Sequence, residues 1–197
     1  GDLATLTPHG NLLLSRHPMR CVRVLQLGAA RPAILASLSL GAACSLEVAS
    51  VHLASDRRGS EMVDNSDKRA AQLRAIEDAL GLEGHPGTPW ALLGDFNSNP
   101  AASNGSEILN QLRAAACDAW VAVHGSQPGA THDPETNAVA RRLALRAERR
   151  RLDRVLLPAA GPWRPREVEL AFTEPLRLLP DGQQWNISDH YGLVCVL

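Results

Sequence analysis

The sequence predicts one α/β (α+β) domain built on a pair of mixed, mostly antiparallel sheets. Short apolar runs typical of strands lie both before and after two amphipathic helical segments. Strands near the start are joined as hairpins, and strands do not alternate regularly with helices. The chain has 197 residues, 45% of them hydrophobic, which is enough for one sizeable core. Because no linker divides the sequence, residues 1–197 are interpreted as a single domain.

The composition narrows the choice of partners and compartment. A formal net charge of −1 gives no overall basic field that would indicate nucleic acid. The cysteines show no CxxC spacing, and Cys44 and Cys195 lie in apolar runs, so buried free thiols are predicted. This favours a reducing, intracellular location. The sequence shows no signal peptide, transmembrane run or internal repeat.

The secondary structure can be predicted along most of the chain. A helix should begin at Ser66, present Leu73 and Ile76 to the core, and end at Gly81. A second helix is expected over 106–116, and a polar surface loop over 55–66. Strands are predicted over these ranges: 12–14, 21–27, 31–40, 44–53, 90–93, 151–157, 168–172 and 193–197.

The most informative stretch is Leu93-Gly94-Asp95-Phe96-Asn97, which follows the apolar run at 90–93. Residues two apart on an extended chain point to the same side, so Asp95 and Asn97 can address one small volume. An acid and an amide there suit the orientation of a water or a phosphate oxygen. The alternative is an ordinary Asx turn after a strand.

Two further stretches carry acids in unusual places. Asp153 lies inside the apolar run at 151–157, where a carboxylate is costly unless it is paired or hydrogen-bonded. Ser188-Asp189-His190 precedes the last apolar run. A histidine is the natural partner for a buried acid, so we expect Asp153 to accept a hydrogen bond from His190.

These stretches, with two upstream, occur in an order found in one superfamily. The motifs are Gly10-Asn11-Leu12-Leu13-Leu14-Ser15-Arg16, Ser50-Val51-His52-Leu53, Gly94-Asp95-Phe96-Asn97, Leu152-Asp153 and Ser188-Asp189-His190. On them the chain resembles the endonuclease/exonuclease/phosphatase superfamily, which has the DNase I-like fold. The segment THDPETN at 131–137 is similar to the tyrosyl-DNA phosphodiesterase 2 branch, which usually has Trp where His132 stands.

The resemblance implies a four-layer α/β/β/α sandwich with the site at one end, between the sheets. In that superfamily an N-terminal strand-helix-strand portion comes first and carries an Asn and a metal-binding Glu. Neither is present here, so the chain is expected to be the C-terminal portion of such a domain. We therefore expect exposed apolar faces, weak binding of Mg²⁺ and poor activity unless another segment completes the site.

The resemblance also implies the role of each site residue. Asp95 would orient the attacking water and Asn97 would hold a non-bridging oxygen. His190 would contact the phosphate or act as a base, oriented by Asp153, and His52 would stabilise developing charge. Mg²⁺ or Mn²⁺ would be the cofactor, bound by Asp189 and Asp95. The predicted substrate-binding residues are Asn11, Arg16, Thr131, Arg151 and Ser188.

Several functions remain open from the sequence. The leading interpretation is a Mg²⁺-dependent phosphodiesterase acting on nucleic acid, including removal of 5′ adducts from DNA. An RNA or oligonucleotide nuclease, or a lipid or inositol phosphatase, is an alternative of the same fold. A binding or scaffolding module without catalysis is the alternative from another class. The basic segment 141–151 is either a phosphate-binding edge or a solvated surface.

Overall fold

The computed structural model shows a mixed α/β fold with a large mixed sheet and a small second sheet, as the sequence predicts, together with two further strand pairs. Parts of some predicted elements lie outside the described residues: residue 31 of the strand at 31–40, residues 59–61 of the loop at 55–66, residue 106 of the second helix and residues 144–147 of the basic segment. The structure describes residues 10–28, 32–41, 44–58, 62–82, 88–98, 107–143, 148–177 and 184–197.

The strands, in chain order, are β1 (Met19–Leu25), β2 (Ala33–Gly41), β3 (Cys44–His52), β4 (Arg57–Arg58), β5 (Met62–Val63), β6 (Trp90–Asp95), β7 (Ala116–Asp118), β8 (Asp153–Pro158), β9 (Glu167–Ala171), β10 (Leu176–Arg177), β11 (Gln184–Trp185) and β12 (Gly192–Val196). The helices are α1 (Ser66–Leu80), α2 (Glu107–Gln111), α3 (Ala119–His124) and α4 (Ala138–Leu143).

The large sheet has six strands in the order β1-β2-β3-β6-β8-β7. The predicted hairpin is confirmed as the antiparallel pair β2–β3. Strand β3 then pairs in parallel with β6, and α1 lies between them in sequence. Strand β6 pairs antiparallel with β8. The mixed sheet therefore places the ends of β3 and β6 and the start of β8 side by side.

The two faces of this sheet have different neighbours. On one face Leu92 of β6 and Leu156 of β8 pack in a core with Leu73 and Ile76 of α1. On the other face Ala91 and Leu157 belong to a second core, because successive strand residues alternate between faces. Val155 lies in contact with that core and also with the side chains of the small sheet.

The small sheet pairs β12 antiparallel with β9. Val168 of β9 is buried against Trp120 of α3, and Leu193 of β12 packs on the same cluster. Because Val155 of β8 joins this cluster, the small sheet covers the second face of the large one. The loop that precedes β12, which carries Ser188-Asp189-His190, thus emerges beside that face.

The predicted first helix is confirmed as α1, with Leu73 and Ile76 fully buried. Its N-cap is Asn65, one residue before the predicted start, and that side chain makes no capping hydrogen bond. Gly81 adopts the left-handed conformation and donates its N–H to the carbonyls of Glu77 and Asp78. Glycine is favoured at this position because it has no Cβ to oppose a positive φ.

Three predicted elements differ in the structure. Residues 12–14 form no strand; Leu12 and Leu14 are exposed. The second helix is only Glu107–Gln111, and Ala116–Asp118 is instead a strand paired with β8. The loop predicted at 55–66 contains the short pair β4–β5. In each case the pairing partner, which a local pattern does not reveal, decides the outcome.

Among the strands that the structure describes, β1 lies at an edge of the large sheet. Its register against β2 shifts between Arg20 and Arg23, and Cys21 has a φ of +51° within this bulge. Met19, Val22 and Val24 are exposed along the strand. Val194 and Val196 of β12 are exposed in the same way, so the expected exposed apolar side chains are present on both sheets.

The cysteines are all free thiols, as the sequence predicts. The prediction that Cys44 is buried is wrong: it is exposed because it lies at the turn end of the β2–β3 hairpin. Cys195 is half-buried, and burial raises the pKa of its thiol. Among the described residues, no helix has the length and apolar character needed to cross a membrane.

Candidate active site

Three neighbouring strands present chemically active side chains at one level of the large sheet. His52, the last residue of β3, is paired in register with Asp95, the last residue of β6. Asp95 is also paired with Asp153, the first residue of β8. Alternation along each strand puts all three side chains on the face that the small sheet covers. We call His52, Asp95 and Asp153 the site row.

The first contact in the site row joins an imidazole to a carboxylate. Nε2 of His52 lies 3.3 Å from Oδ2 of Asp95. The His52 side chain is 39% exposed, whereas that of Asp95 is 13% exposed. The pair therefore sits at the mouth of the site, with the imidazole on the solvent side and the carboxylate further in.

Asn97 is brought to Asp95 by a turn and not by an extended chain. Its φ is +52°, a left-handed conformation that Asn tolerates better than most residues. Its N–H donates to Oδ1 of Asp95 at 2.7 Å. Its side-chain amide donates to Oδ2 of Asp95 at 3.2 Å and to the carbonyl of Leu53 at 2.9 Å. Both amide hydrogens thus have protein acceptors, and Asn97 fixes the Asp95 carboxylate.

Gly94 is required by the close approach of β3 to β6. Its φ is +127°, and a Cβ at this position would lie 2.1 Å from the carbonyl oxygen of Val51. A side chain there would push apart the two strands that carry His52 and Asp95. The need to avoid this clash explains why a glycine ends the apolar run in the sequence.

We expect Gly94→Ala to destabilise the protein by on the order of 3 kcal/mol, at the high end for single substitutions. Gly28→Ala is the matched control, because Gly28 has a φ of +126° but no atom within 4 Å of its added Cβ. Urea unfolding of both variants separates the clash from the backbone strain. Equal losses in the two variants would show that the contact with Val51 does not constrain the strands.

The predicted hydrogen bond between Asp153 and His190 is confirmed. Nδ1 of His190 lies 2.8 Å from Oδ2 of Asp153, and each side chain is 22% exposed. Because the carboxylate accepts, Nδ1 carries the proton and Nε2 is left for another partner. Burial alone would lower the pKa of His190, but the bond and charge of Asp153 outweigh it and raise that pKa. The charges of Asp95 and Asp189 add to this effect.

The hydroxyl of Ser188 forms contacts within the loop before β12. The hydroxyl of Ser188 accepts the N–H of His190 at 3.1 Å and lies 3.4 Å from Oδ1 of Asp189. Asp189 is the neighbour of His190 in this loop, and the charges of Asp95 and Asp189 both help to raise the pKa of His190. The structure therefore brings together His52, Asp95, Asn97, Asp153, Asp189 and His190.

His132 occupies a position that sequence reasoning did not assign to the site. Its ring packs edge-on to that of His190, with ring centroids 5.4 Å apart. His132 is only 5% exposed, so its ring is not accessible for stacking against a nucleobase of a substrate. Burial, together with the charges of Arg150 and His190, lowers the pKa of His132. The two adjacent imidazoles are thus biased towards opposite charge states.

Two predicted substrate-binding residues are placed elsewhere. The guanidinium of Arg151 is buried and donates to Oδ2 of Asp118 at 2.7 Å. Thr131 is fully buried, and its hydroxyl accepts the N–H groups of Leu152 and Asp153, each at 3.1 Å. Both side chains therefore act inside the protein, because their polar atoms are turned to protein partners and not to solvent.

The other predicted substrate-binding residues lie nearer the surface. Asn11 donates its side-chain amide to the carbonyls of Pro32 at 2.8 Å and Ser50 at 3.3 Å, which fixes the segment before β1 against the sheet. Arg16 and Ser188 are exposed. Of these three, Ser188 is adjacent to the assembled residues through its bonds within the loop.

The basic segment at 141–151 is largely engaged by the protein itself. Arg141 donates to the carbonyls of Pro134 and Glu135. Arg149 pairs with Asp133 at 2.9 Å. Arg142 lies over the ring of Trp185, 5.4 Å from its centroid. Together with the buried Arg151, these contacts favour a structural interpretation of the described part of the segment over a phosphate-binding edge.

Asp95 and Asp189 are the carboxylates that would bind the predicted cation. Across the described ranges, no three or more His, Cys, Asp or Glu side chains form a group that could hold a metal ion. Asp95 and Asp189, the predicted ligands, both act on His190. Their oxygen atoms are the hard donors that Mg²⁺ prefers, and Mg²⁺ commonly uses one or two carboxylates with water and substrate oxygens. The residues present fit such an open site.

A comparison with protein families decides which fold family this arrangement belongs to. The model of the Endonuclease/Exonuclease/phosphatase family matches residues 4–190. The chain belongs to this family. The region that matches this endonuclease/exonuclease/phosphatase family model includes Asp95, Asp153 and His190.

Solved structures agree with the family fold. D. rerio TDP2 complexed with single-strand DNA product is 24% identical, with a TM-score of 0.66 over 90% of this chain. Beta toxin from Staphylococcus aureus is 19% identical, with a TM-score of 0.72 over 92%. Sphingomyelinase C from Streptomyces griseocarneus is 18% identical, with a TM-score of 0.66 over 92%. At these identities the likeness shows the shared fold.

The structural matches cover most of this chain but a smaller share of each matched protein. This chain spans 66% of the D. rerio TDP2 chain and 65% of both the beta toxin and the sphingomyelinase C chains. No curated protein sequence matches it significantly. The family and its DNase I-like fold are therefore established, whereas activity and substrate have to be argued from the site.

Proposed function

We propose that this protein is a metal-dependent phosphodiesterase that acts on nucleic acid, including 5′ adducts on DNA. The observation that carries the proposal is the site row with His190 hydrogen-bonded to Asp153. A carboxylate and a correctly oriented imidazole on one face are the groups that hydrolysis of a phosphodiester needs. The family comprises hydrolases, and one structural neighbour is a TDP2 with a DNA product.

Each residue has a distinct part in the reaction. Asp95, fixed by Asn97, accepts a hydrogen bond from the water that attacks phosphorus. His190, held by Asp153, presents Nε2 to a phosphate oxygen, and its raised pKa favours the charged form that neutralises the phosphate. His52 stands beside Asp95 at the mouth and stabilises charge that develops on the substrate.

The cation belongs with the carboxylates. Asp189 and Asp95 would hold Mg²⁺ or Mn²⁺, and the cation would neutralise charge on the phosphate and on the leaving oxygen. With two carboxylates and no further acidic ligand in the described part of the chain, binding should be weak. Activity is therefore expected at higher Mg²⁺ than a complete ligand set would need.

Substrate assays test the proposal directly. Turnover is measured on 5′-phosphotyrosyl DNA, single-stranded DNA, RNA and inositol phosphates across a Mg²⁺ titration. We expect Mg²⁺-dependent cleavage of a nucleic-acid substrate, with a decrease of about a hundredfold to ten-thousandfold in His190→Gln. His17→Gln is the matched control, because His17 is exposed and lies outside the site row. Equal turnover in His190→Gln and the unmodified protein would overturn the assignment.

Lipid phosphodiesters are the second candidate substrate. The specific observation is the likeness to sphingomyelinase C, whose TM-score equals that of the D. rerio TDP2 complex. Sphingomyelin vesicles therefore belong in the panel. Cleavage of sphingomyelin without cleavage of nucleic acid would replace the nucleic-acid proposal, while retaining the roles of Asp95 and His190. Binding of DNA without cleavage of any substrate would favour the binding-module alternative.

A further inference from the structure

One segment forms several hydrogen bonds to the loop that carries Asp189 and His190. Residues 131–138, which we call the clamp, form hydrogen bonds to residues 186–191, which we call the site loop. The carbonyl of Thr131 accepts the N–H of Tyr191 at 2.7 Å. The side-chain amide of Asn137 donates to the carbonyl of Ser188 at 2.9 Å. These two bonds lie on either side of His190 in sequence.

Two more bonds extend the contact to the ends of the site loop. The N–H of Ala138 donates to Oδ1 of Asn186 at 3.0 Å. The hydroxyls of Thr136 and Tyr191 are 3.0 Å apart. The clamp thus contacts the site loop at its start, its middle and its end, and a loop contacted at three points has little freedom to change conformation.

The clamp residues that make the decisive bonds are buried. Thr131 and Asn137 are each 0% exposed, and Asn186 is 3% exposed. Because a buried polar group that loses its partner incurs its full desolvation cost, these bonds resist breaking more than surface bonds do. Neither Thr131 nor Asn137 has a surface that substrate could reach, so any effect on the reaction must pass through other residues.

Thr131 also contacts the other half of the imidazole–carboxylate pair. Its hydroxyl accepts the N–H of Asp153, while its carbonyl accepts the N–H of Tyr191. One residue therefore joins the backbone of Asp153 to the backbone next to His190. The 2.8 Å bond between Asp153 and His190 spans this same gap. A shift at Thr131 would change the separation of both partners.

Asn137 is in turn fixed by the start of α4. Its Oδ1 accepts the N–H of Ala140 at 2.9 Å, and its own N–H donates to the carbonyl of Asp133 at 2.8 Å. Its amide group can therefore point only one way, with the NH₂ towards Ser188. The asparagine acts as a spacer of fixed length between α4 and the site loop.

We infer that Thr131 and Asn137 are positioning residues that set the distance between His190 and Asp153. The positional effect follows from the contacts alone, whereas its effect on turnover rests on the function proposed above. A misplacement of about 1 Å in a catalytic group can lower a rate on the order of a hundredfold. Loss of the Thr131 hydroxyl or of the Asn137 side-chain amide should therefore act on the reaction without removing a catalytic group.

The test compares variants that keep the shape of the side chain and change one hydrogen-bonding group. Thr131→Val removes the hydroxyl that accepts from Asp153, and Thr131→Ser retains it. Asn137→Asp keeps the oxygen facing Ala140 and replaces the NH₂ that faces Ser188. Thr88→Val is the matched control, because Thr88 precedes the opposite end of β6 from Asp95. All proteins carry isotope-labelled histidine, and His190→Gln assigns the His190 imidazole signal.

We expect Thr131→Val and Asn137→Asp to shift the His190 signal and to lower kcat roughly a hundredfold with little change in KM. Thr131→Ser and Thr88→Val should match the unmodified protein in both measurements. If Thr131→Val does not fold, Asn137→Asp and the rescue by Thr131→Ser decide the question. An unmoved His190 signal in folded Thr131→Val or Asn137→Asp would overturn the inference. A moved signal in a protein without turnover on any substrate would instead count against the proposed function.

Discussion

Replacing Asp118 with alanine is expected to destabilise the fold by about 3 to 5 kcal/mol, the cost of removing one partner from a buried ion pair. Oδ2 of Asp118 accepts from Arg151 at 2.7 Å and from Arg154 at 2.8 Å. All three residues are buried. Alanine would leave two guanidinium groups without this carboxylate, and burial already lowers the pKa of Arg154.

Asp118 has a second structural contact that the same substitution removes. Its Oδ1 accepts the N–H groups of Trp120 and Val121, so it is the N-cap of α3. The midpoint and slope of urea unfolding measure the total loss. Asp67→Ala is the control, since Asp67 is exposed in the first turn of α1 and should cost less than about 1 kcal/mol. Losses of similar size in the two variants would show that the buried cluster contributes no net stability.

Replacing Asp153 with asparagine is expected to lower turnover by about a hundredfold to ten-thousandfold while the fold is retained. The variant keeps the shape of the side chain but removes the negative charge that faces His190. Burial lowers the pKa of His190, and the variant would lack the charge of Asp153 that mainly counteracts this effect. The pKa of His190 should fall, and the decline in activity at alkaline pH should move to lower pH.

The same charge gives a pH-dependent contribution to stability. The pKa of His190 is raised above its ordinary value of 6.5 in the folded protein. Its stabilisation is therefore fully present below the pKa of the unfolded chain and is lost as the pH rises through the folded pKa. The stability lost in Asp153→Asn should be largest below that ordinary pKa and should shrink above the folded one.

Two measurements check the Asp153 prediction. A titration of labelled histidine gives the pKa of His190 in both proteins, and urea unfolding across pH gives the stability difference. Glu169→Gln is the control, because Glu169 is an exposed carboxylate on β9. A variant with unchanged turnover and an unchanged pKa of His190 would remove Asp153 from the mechanism.

Elements defined by their own sequence were predictable. The α1 helix has buried positions at helical spacing and a glycine that ends it, and both are local properties. The β2–β3 hairpin and strands β6, β8 and β12 were likewise predicted from apolar runs. The partnership of Asp153 with His190 followed from the cost of a buried carboxylate, which is a property of the residue type.

Features defined by distant partners could not be predicted. Arg151 looked available for phosphate because Asp118, which binds it, lies 33 residues away in sequence. The helix predicted over 106–116 ends at Gln111, and its predicted last residue, Ala116, instead begins β7, which pairs with β8. Thr131 has the residue type of a substrate contact, yet its hydroxyl is used by the start of β8. In each case the structural role of the residue depends on a partner that is close in space but distant in sequence.

The bulge in β1 has a consequence for association between copies of the protein. Flat edge strands with apolar side chains are templates that recruit further strands and lead to aggregation. In β1 the left-handed Cys21 interrupts the hydrogen-bonding groups beside the exposed Val22 and Val24. Arg20 and Arg23 flank the interruption with positive charge, so an incoming strand would meet both broken register and repulsion between like charges. The irregular register of β1 therefore disfavours the addition of a further strand beside its exposed apolar side chains.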